Sequence, residues 1–226
     1  MSTFALVHGA WHGAWVWERL RPELEARGHT VLAPELPGEE LGALFSDYAA
    51  VVLRALDEAG DDVVLVGHSL GGLTVPLVAA ARAVRRMVLI AALLPEPDRS
   101  FREQVAEDPT ALLIVEGVAR DAQGREVWVD ADAAVRALYA DCEPADAAAA
   151  VARLRPQARS PYAEPCPLER WPNVPCEYIL CTEDATVSPE WARRTVPARL
   201  GIVPRELTSG HSPMLARPAE LAALLS

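Results

Sequence analysis

From Val63 the chain reads Val63-Val64-Leu65-Val66-Gly67-His68-Ser69-Leu70-Gly71-Gly72, an apolar run that breaks off in a small–x–Ser–x–small turn. A run of valine and leucine with no polar alternation suits a strand buried on both faces, which is the environment of a parallel sheet. Leu70 to Ala81 then reads as a helix. The reversal between them leaves almost no room. Its central residue is forced into a strained backbone conformation, tolerable only where positions 67 and 71 carry no bulky side chain. That residue is Ser69, and its hydroxyl is left at the tip of the turn, at a helix N-terminus whose free N–H groups face whatever the serine attacks. One turn therefore offers a nucleophile and part of an oxyanion hole. The same glycines also fit a phosphate-cradling connection, but there is no G-x-G-x-x-G, and Leu73 stands where a P-loop needs lysine.

The absence of lysine narrows the chemistry further. All 21 basic residues are arginine, which excludes a Schiff base, pyridoxal phosphate attachment, a Walker lysine and a lysine general base. Cys142, Cys166, Cys176 and Cys181 form no C-x-x-C pair and have no histidine at ligand spacing, so they read as buried or structural thiols, and neither metal nor cofactor is expected. A net charge of −11 speaks against nucleic acid and anionic membranes as partners. The longest apolar stretch, Met87 to Leu94, is far too short to span a bilayer, and the chain enters its first strand without a basic leader, so a cytoplasmic location is expected. With 226 residues, one α/β core carrying an inserted subdomain is the expected organisation.

Strand, sharp serine turn and helix together resemble the nucleophile elbow of the α/β-hydrolases. In that fold the loop after the first strand carries an HG signature, because glycine lets a backbone N–H approach the oxyanion. Here Thr3 to Val7 is followed by His8-Gly9-Ala10-Trp11-His12-Gly13-Ala14-Trp15, and the candidate donors are the N–H groups of Ala10 and Leu70. His12 and Trp15 are expected to pack the loop. Trp15 to Arg27 predicts a helix closed by Gly28, His29 to Pro34 a second strand, Leu41 to Ala59 a helix and Arg86 to Ala91 a fourth strand. This βαβαβαβ rhythm predicts a doubly wound, mainly parallel sheet of about six strands with the site at the strands' carboxyl ends, where His8, Ser69 and Leu93 fall.

Between Pro95 and Trp171 the rhythm breaks. Glu107 to Arg125 is weakly patterned, Glu126 to Val129 fits part of a small hairpin, and Ala131 to Ala140 and Ala145 to Leu154 read as short helices. A return through Pro156, Pro161, Pro165, Pro167 and Pro172 leads back to the sheet. Residues 95–171 are therefore expected to form a helical cap on a core of residues 1–94 and 172–226. Trp11, Trp128, Leu138 and Tyr139 are its candidate pocket walls, which favours a small to medium apolar substrate over a charged one.

Cys176 to Cys181 predicts the fifth strand, ending in Thr182-Glu183-Asp184. Asp184 is preferred to Glu183 as the acid that orients a histidine, since its shorter side chain can turn inward while its neighbour faces solvent. A helix starts near Ser188-Pro189-Glu190, Ile202 to Leu207 predicts the sixth strand, and Met214 to Leu225 the closing helix. Between the last two lies His211, and Gly210 is expected to let it swing toward Ser69. The order Ser69, Asp184, His211 is the one this fold uses.

These motifs, together with Leu138-Tyr139-Ala140-Asp141-Cys142 and Arg155-Pro156, resemble the plant methylesterase and hydroxynitrile lyase branch of the α/β-hydrolases over nearly the whole chain. The resemblance implies Ser69 as nucleophile, His211 as general base, Asp184 as its orienting acid and Ala10 and Leu70 as oxyanion donors. It departs from the lyases, which have a lysine after the histidine and a threonine in the HG loop; this chain has Ser212 and Gly9. Without that cation to hold a departing cyanide, lyase chemistry is not expected. The leading expectation is a serine hydrolase of small-molecule carboxylic esters. A thioesterase, lactonase or cyclase with the same triad, and a ligand-binding homologue without turnover, are the alternatives, and a homodimer is left open.

Overall fold

The apolar runs become one parallel sheet. The computed structural model describes residues 1–113 and 116–226; Ile114 and Val115, inside the weakly patterned stretch, lie outside the described residues. In chain order the first half comprises β1 (Thr3–Val7), α1 (Leu20–Glu25), β2 (Thr30–Leu32), α2 (Phe45–Ala55), β3 (Val63–His68), α3 (Val75–Ala81) and β4 (Arg86–Ile90). There follow α4 (Phe101–Glu107), the strands β5 (Val118–Arg120) and β6 (Glu126–Trp128), α5 (Ala131–Leu138) and α6 (Pro144–Val151). The chain then returns through β7 (Cys176–Cys181), α7 (Pro189–Leu200), β8 (Arg205–Leu207), α8 (Pro213–Ala216) and α9 (Pro218–Leu225).

The main sheet has the order β2-β1-β3-β4-β7-β8, every neighbouring pair parallel, while β5 and β6 pair separately as the antiparallel hairpin anticipated around Glu126. Successive residues point to opposite faces of a strand. Thus Val63 and Leu65, Met87 and Leu89, and Tyr178 and Leu180 meet α2, α3 and α7 in one apolar layer. Val64 and Val66, Val88 and Ile90, and Ile179 and Cys181 meet α1 and α9 in the other. With a layer on each face, β3 is buried at every position, and each large aliphatic side chain there contributes roughly 1.5–3 kcal/mol. Because β1 lies between β2 and β3, the chain reverses its direction of travel across the sheet there. The carboxyl ends of β1 and β3 flank the crevice that such a reversal opens.

Several expected helices are divided, and proline explains each division. The ring of a proline collides with the carbonyl four residues before it. Pro22 therefore separates α1 from a 3-10 turn over Ala14–Trp17, Pro76 separates α3 from a 3-10 turn over Ser69–Leu73, and Pro218 splits the closing helix into α8 and α9. The α4 helix was not anticipated. It starts at a capping box: Ser100 Oγ accepts from the Glu103 N–H at 3.2 Å, and Glu103 Oε2 accepts from the Ser100 N–H at 2.8 Å. Among the described residues, no helix is long and apolar enough to cross a membrane.

Candidate active site

Ser69 takes φ of +52°, in the left-handed region that a side chain rarely adopts. The elbow is held there by close backbone packing. A Cβ at Gly71 would lie 2.5 Å from the Val7 carbonyl oxygen, and one at Gly67 would lie 2.9 Å from the Gly71 oxygen. On the other side, a Cβ at Gly9 would come within 2.9 Å of the Ser69 Cβ. The HG loop and the serine turn thus touch through positions where only hydrogen fits. Leu93 N–H donates to the Ser69 carbonyl at 3.0 Å, tying the turn to the end of β4.

Asp184 and His211 meet beyond β7 and β8, both buried at 5% and 2% exposure. His211 Nδ1–H donates to the Asp184 carboxylate, 2.9 Å from Oδ2 and 3.0 Å from Oδ1. Asp184 Oδ1 also accepts the Thr186 N–H at 2.7 Å and the Val187 N–H at 3.0 Å. These donors replace water around a buried anion, and they fix the imidazole tautomer with its lone pair on Nε2. Glu183 is exposed, as its outward position required. His68, which precedes Ser69, donates from Nε2–H to the His211 carbonyl at 2.8 Å, and the two rings lie 4.7 Å apart. That bond, which the sequence reading did not anticipate, ties the histidine loop directly to the serine turn. No hydrogen bond joins Ser69 Oγ to the His211 ring in this structure.

Gly210 plays a different part from the hinge expected of it. A Cβ there would fall 2.6 Å from Asp141 Oδ1, and Ser209 Oγ donates to Asp141 Oδ2 at 2.9 Å. The glycine makes room for the carboxylate that anchors the loop.

Two further histidines shape the loop after β1. His8 Nδ1–H donates to the Gly9 carbonyl at 2.9 Å, and its Nε2 accepts the Leu36 N–H at 3.1 Å. His12 Nδ1–H donates to the Ala10 carbonyl at 2.7 Å, and its Nε2 accepts the Tyr139 hydroxyl at 2.7 Å. Burial pushes the His8 imidazole down to about 4 and the His12 imidazole to about 3, so both stay neutral and serve as fixed hydrogen-bonding struts. Trp11, at φ of +60°, gives its carbonyl to the Arg155 N–H at 2.8 Å. With these carbonyls fixed, the orientation of the loop's peptide planes is fixed too. The N–H groups of Ala10 and Leu70 find no acceptor among the described residues, and both residues border the same cavity as Ser69.

That cavity holds about 240 Å³ and is walled mainly by apolar side chains, including Trp11, Leu93, Phe101, Val105 and Leu112. Of the four expected pocket residues, Trp11 alone lines it. Trp128 stands behind Trp11, edge to face at 5.5 Å between ring centroids. Leu138 and Tyr139 are at 1% and 0% exposure in the layer shared with α1 and α9, because the apolar face of α5 turns to the sheet. Missed were Phe101, Arg102 and Val105 on α4; the Ser100–Glu103 capping box was the legible signal for them. Also missed were Arg159, Tyr162 and Glu126, with Arg159 Nε 3.0 Å from Glu126 Oε1. Burial pushes the Glu126 carboxyl up. All four cysteines are free thiols, and among the described residues no group of three or more His, Cys, Asp or Glu could hold a metal ion.

The sequence pattern of the alpha/beta hydrolase family matches residues 4–224. Salicylic acid-binding protein 2 of Nicotiana tabacum is 30% identical, over 98% of this chain and 95% of that protein. Methylesterase 7 of Arabidopsis thaliana is 28% identical, over 98% of this chain and 94% of that protein. Among solved structures, a pyrethroid hydrolase from Sphingobium faniae superposes with a TM-score of 0.83 at 23% identity, covering 99% of this chain and 95% of that one, which is a likeness of fold. From the sheet, the strained serine turn and a family match along almost its whole length, the chain belongs to the alpha/beta hydrolase family, with the plant methylesterases among its relatives.

Proposed function

We propose that the protein is a serine carboxylic-ester hydrolase acting on small to medium substrates through an acyl-enzyme. When the ester binds, Ser69 Oγ donates its proton to His211 Nε2 and attacks the carbonyl carbon. The bond between hydroxyl and imidazole forms at that step; such bonds are often loose before substrate arrives. The N–H groups of Ala10 and Leu70 hold the oxyanion, Asp184 stabilises the imidazolium, and His211 returns the proton to the leaving alcohol. Water, deprotonated by His211, then attacks the acyl-enzyme and releases the acid and Ser69. Residues 95–171 act as a cap that supplies part of the cavity wall and excludes bulk water.

The observation that carries this reading is the doubly fixed His211–Asp184 pair tied through His68 to a serine at a strained turn, beside two unpaired backbone N–H groups. The test is turnover of p-nitrophenyl short-chain esters: Ser69→Ala should lower kcat by about three orders of magnitude or more. Wild-type turnover in that variant would overturn the proposal. A second reading, a ligand-binding protein without turnover, is favoured by one observation, the binding role in the printed name of the tobacco relative. It predicts a folded protein that binds a small ligand and leaves Ser69 unlabelled by a fluorophosphonate.

A further inference from the structure

The wall of the cavity contributed by residues 95–171 is not wholly apolar. Arg102, Glu126, Arg159 and Tyr162 all border it: Arg159 pairs with Glu126, and Phe101, which precedes Arg102 on α4, packs edge to face on Tyr162 at 5.7 Å. The charges there do not balance. Glu126 feels Arg159 and Arg120, while Arg102 has no carboxylate partner among the described residues, although fourteen of the chain's other arginines do. Arg159 meets Glu126 through Nε, and its terminal nitrogens have no acceptor among the described residues. Arg102 is exposed and Arg159 half-buried, so both guanidinium groups sit at the solvent-facing border of a largely apolar cavity with N–H donors that no carboxylate there claims, and a planar carboxylate is the matching acceptor.

The rest of the molecule runs the other way. At a net charge of −11 the protein repels anions at long range, so a cationic wall at this one cavity must act locally, on a ligand already inside. The volume of about 240 Å³ leaves space for a compact molecule spanning from Ser69 to that wall.

We propose that the ligand of this cavity carries a carboxylate at the end remote from Ser69, bound by Arg102 and Arg159, so that the ester cleaved is a monoester of a small dicarboxylic acid or an equivalent acid-bearing ester. The second half of that statement rests on the hydrolase reading; the first does not. It replaces the wholly apolar substrate that the sequence led one to expect.

Two measurements test it separately from that reading. The first compares kcat/KM for mono-p-nitrophenyl adipate and p-nitrophenyl hexanoate, which differ by the terminal carboxylate. The acid-bearing ester should be favoured about tenfold or more, and the ratio should fall by about fivefold or more in Arg102→Gln and in Arg159→Gln. The second is calorimetric titration of the wild-type chain with adipate and with hexanoate, which needs no turnover. Adipate should bind about tenfold more tightly, with the difference shrinking at high salt. If neither ester turns over but adipate binds preferentially, the carboxylate site stands and the hydrolase reading falls. Equal or better binding of hexanoate, or a kinetic ratio that neither arginine variant changes, overturns the site whatever the fate of the hydrolase reading.

Discussion

Replacing Asp184 by asparagine changes one atom and should disable the imidazole without unfolding the protein. The carboxylate accepts the His211 Nδ1–H together with two backbone N–H groups, from Thr186 and Val187, that converge on Oδ1. An asparagine has a single acceptor oxygen, and the two fixed backbone donors claim it. Its NH2 group then faces His211, where a donor meets a donor. The ring escapes by moving its proton to Nε2, so that Nδ1 accepts from the amide. In that tautomer Nε2 has no lone pair for the Ser69 proton. Where a histidine is trapped in the wrong tautomer with its geometry intact, kcat falls by about 10⁴, equivalent to ~5.5 kcal/mol of transition-state stabilisation. The loss in folding stability should be smaller, about 1–3 kcal/mol, because the oxygen retains its backbone donors. Steady-state hydrolysis of a p-nitrophenyl ester, read beside a thermal melt, separates the two quantities. A folded Asp184→Asn protein with kcat within about tenfold of wild type would refute the tautomer argument.

Other outcomes follow from the loops around the site. His8 and His12 have imidazoles pushed down to about 4 and about 3, so between those values and 6.5 the unfolded chain binds more protons than the folded one. Their contribution is complete above 6.5 and is lost as pH falls, at about 1.4 kcal/mol per unit for each histidine; urea midpoints that stay flat from neutral pH to about pH 5 would contradict this. Tyr139→Phe removes the hydroxyl bonded to His12 Nε2 and should cost about 1–2 kcal/mol in a denaturant melt while leaving KM nearly unchanged. A large KM change with unaltered stability would instead put Tyr139 against substrate. Gly71→Ala would set a Cβ 2.5 Å from the Val7 carbonyl and should prevent accumulation of soluble folded protein, whereas a wild-type melting temperature would show that the elbow can relax.

Chemistry that depends on sequence order was legible, and chemistry that depends on packing was not. The valines of β3, the turn at Ser69 and the acid and histidine after β7 and β8 are local signals, each readable from a handful of neighbours. Asp184 could be chosen over Glu183 because, in the loop past β7, the shorter side chain can turn inward while its neighbour faces solvent. The walls of the cavity could not be assigned the same way. Leu138 and Tyr139 are apolar residues on an amphipathic helix, and nothing local says whether that face meets ligand or sheet; here it meets the layer of Leu20 and Leu24. Arg159 lies in a proline-rich return with no periodicity, so its place beside Glu126 is set by tertiary contacts alone. Phe101 and Arg102 have one local signal, Ser100-x-x-Glu103, which marks the start of α4. Nothing local marks His68, whose bond to the His211 carbonyl spans 143 residues of sequence.

Hydrolysis through an acyl-enzyme requires that Ser69 Oγ is the atom acylated. Treating the folded protein with a fluorophosphonate or a slowly released acyl ester, digesting after arginine and weighing the peptides would read this directly. The peptide spanning residues 55–82, bounded by Arg54 and Arg82, should carry one covalent adduct localised to Ser69, and the adduct should be absent from heat-denatured protein. An unmodified 55–82 peptide from folded protein, or an adduct on any other side chain, would contradict the account.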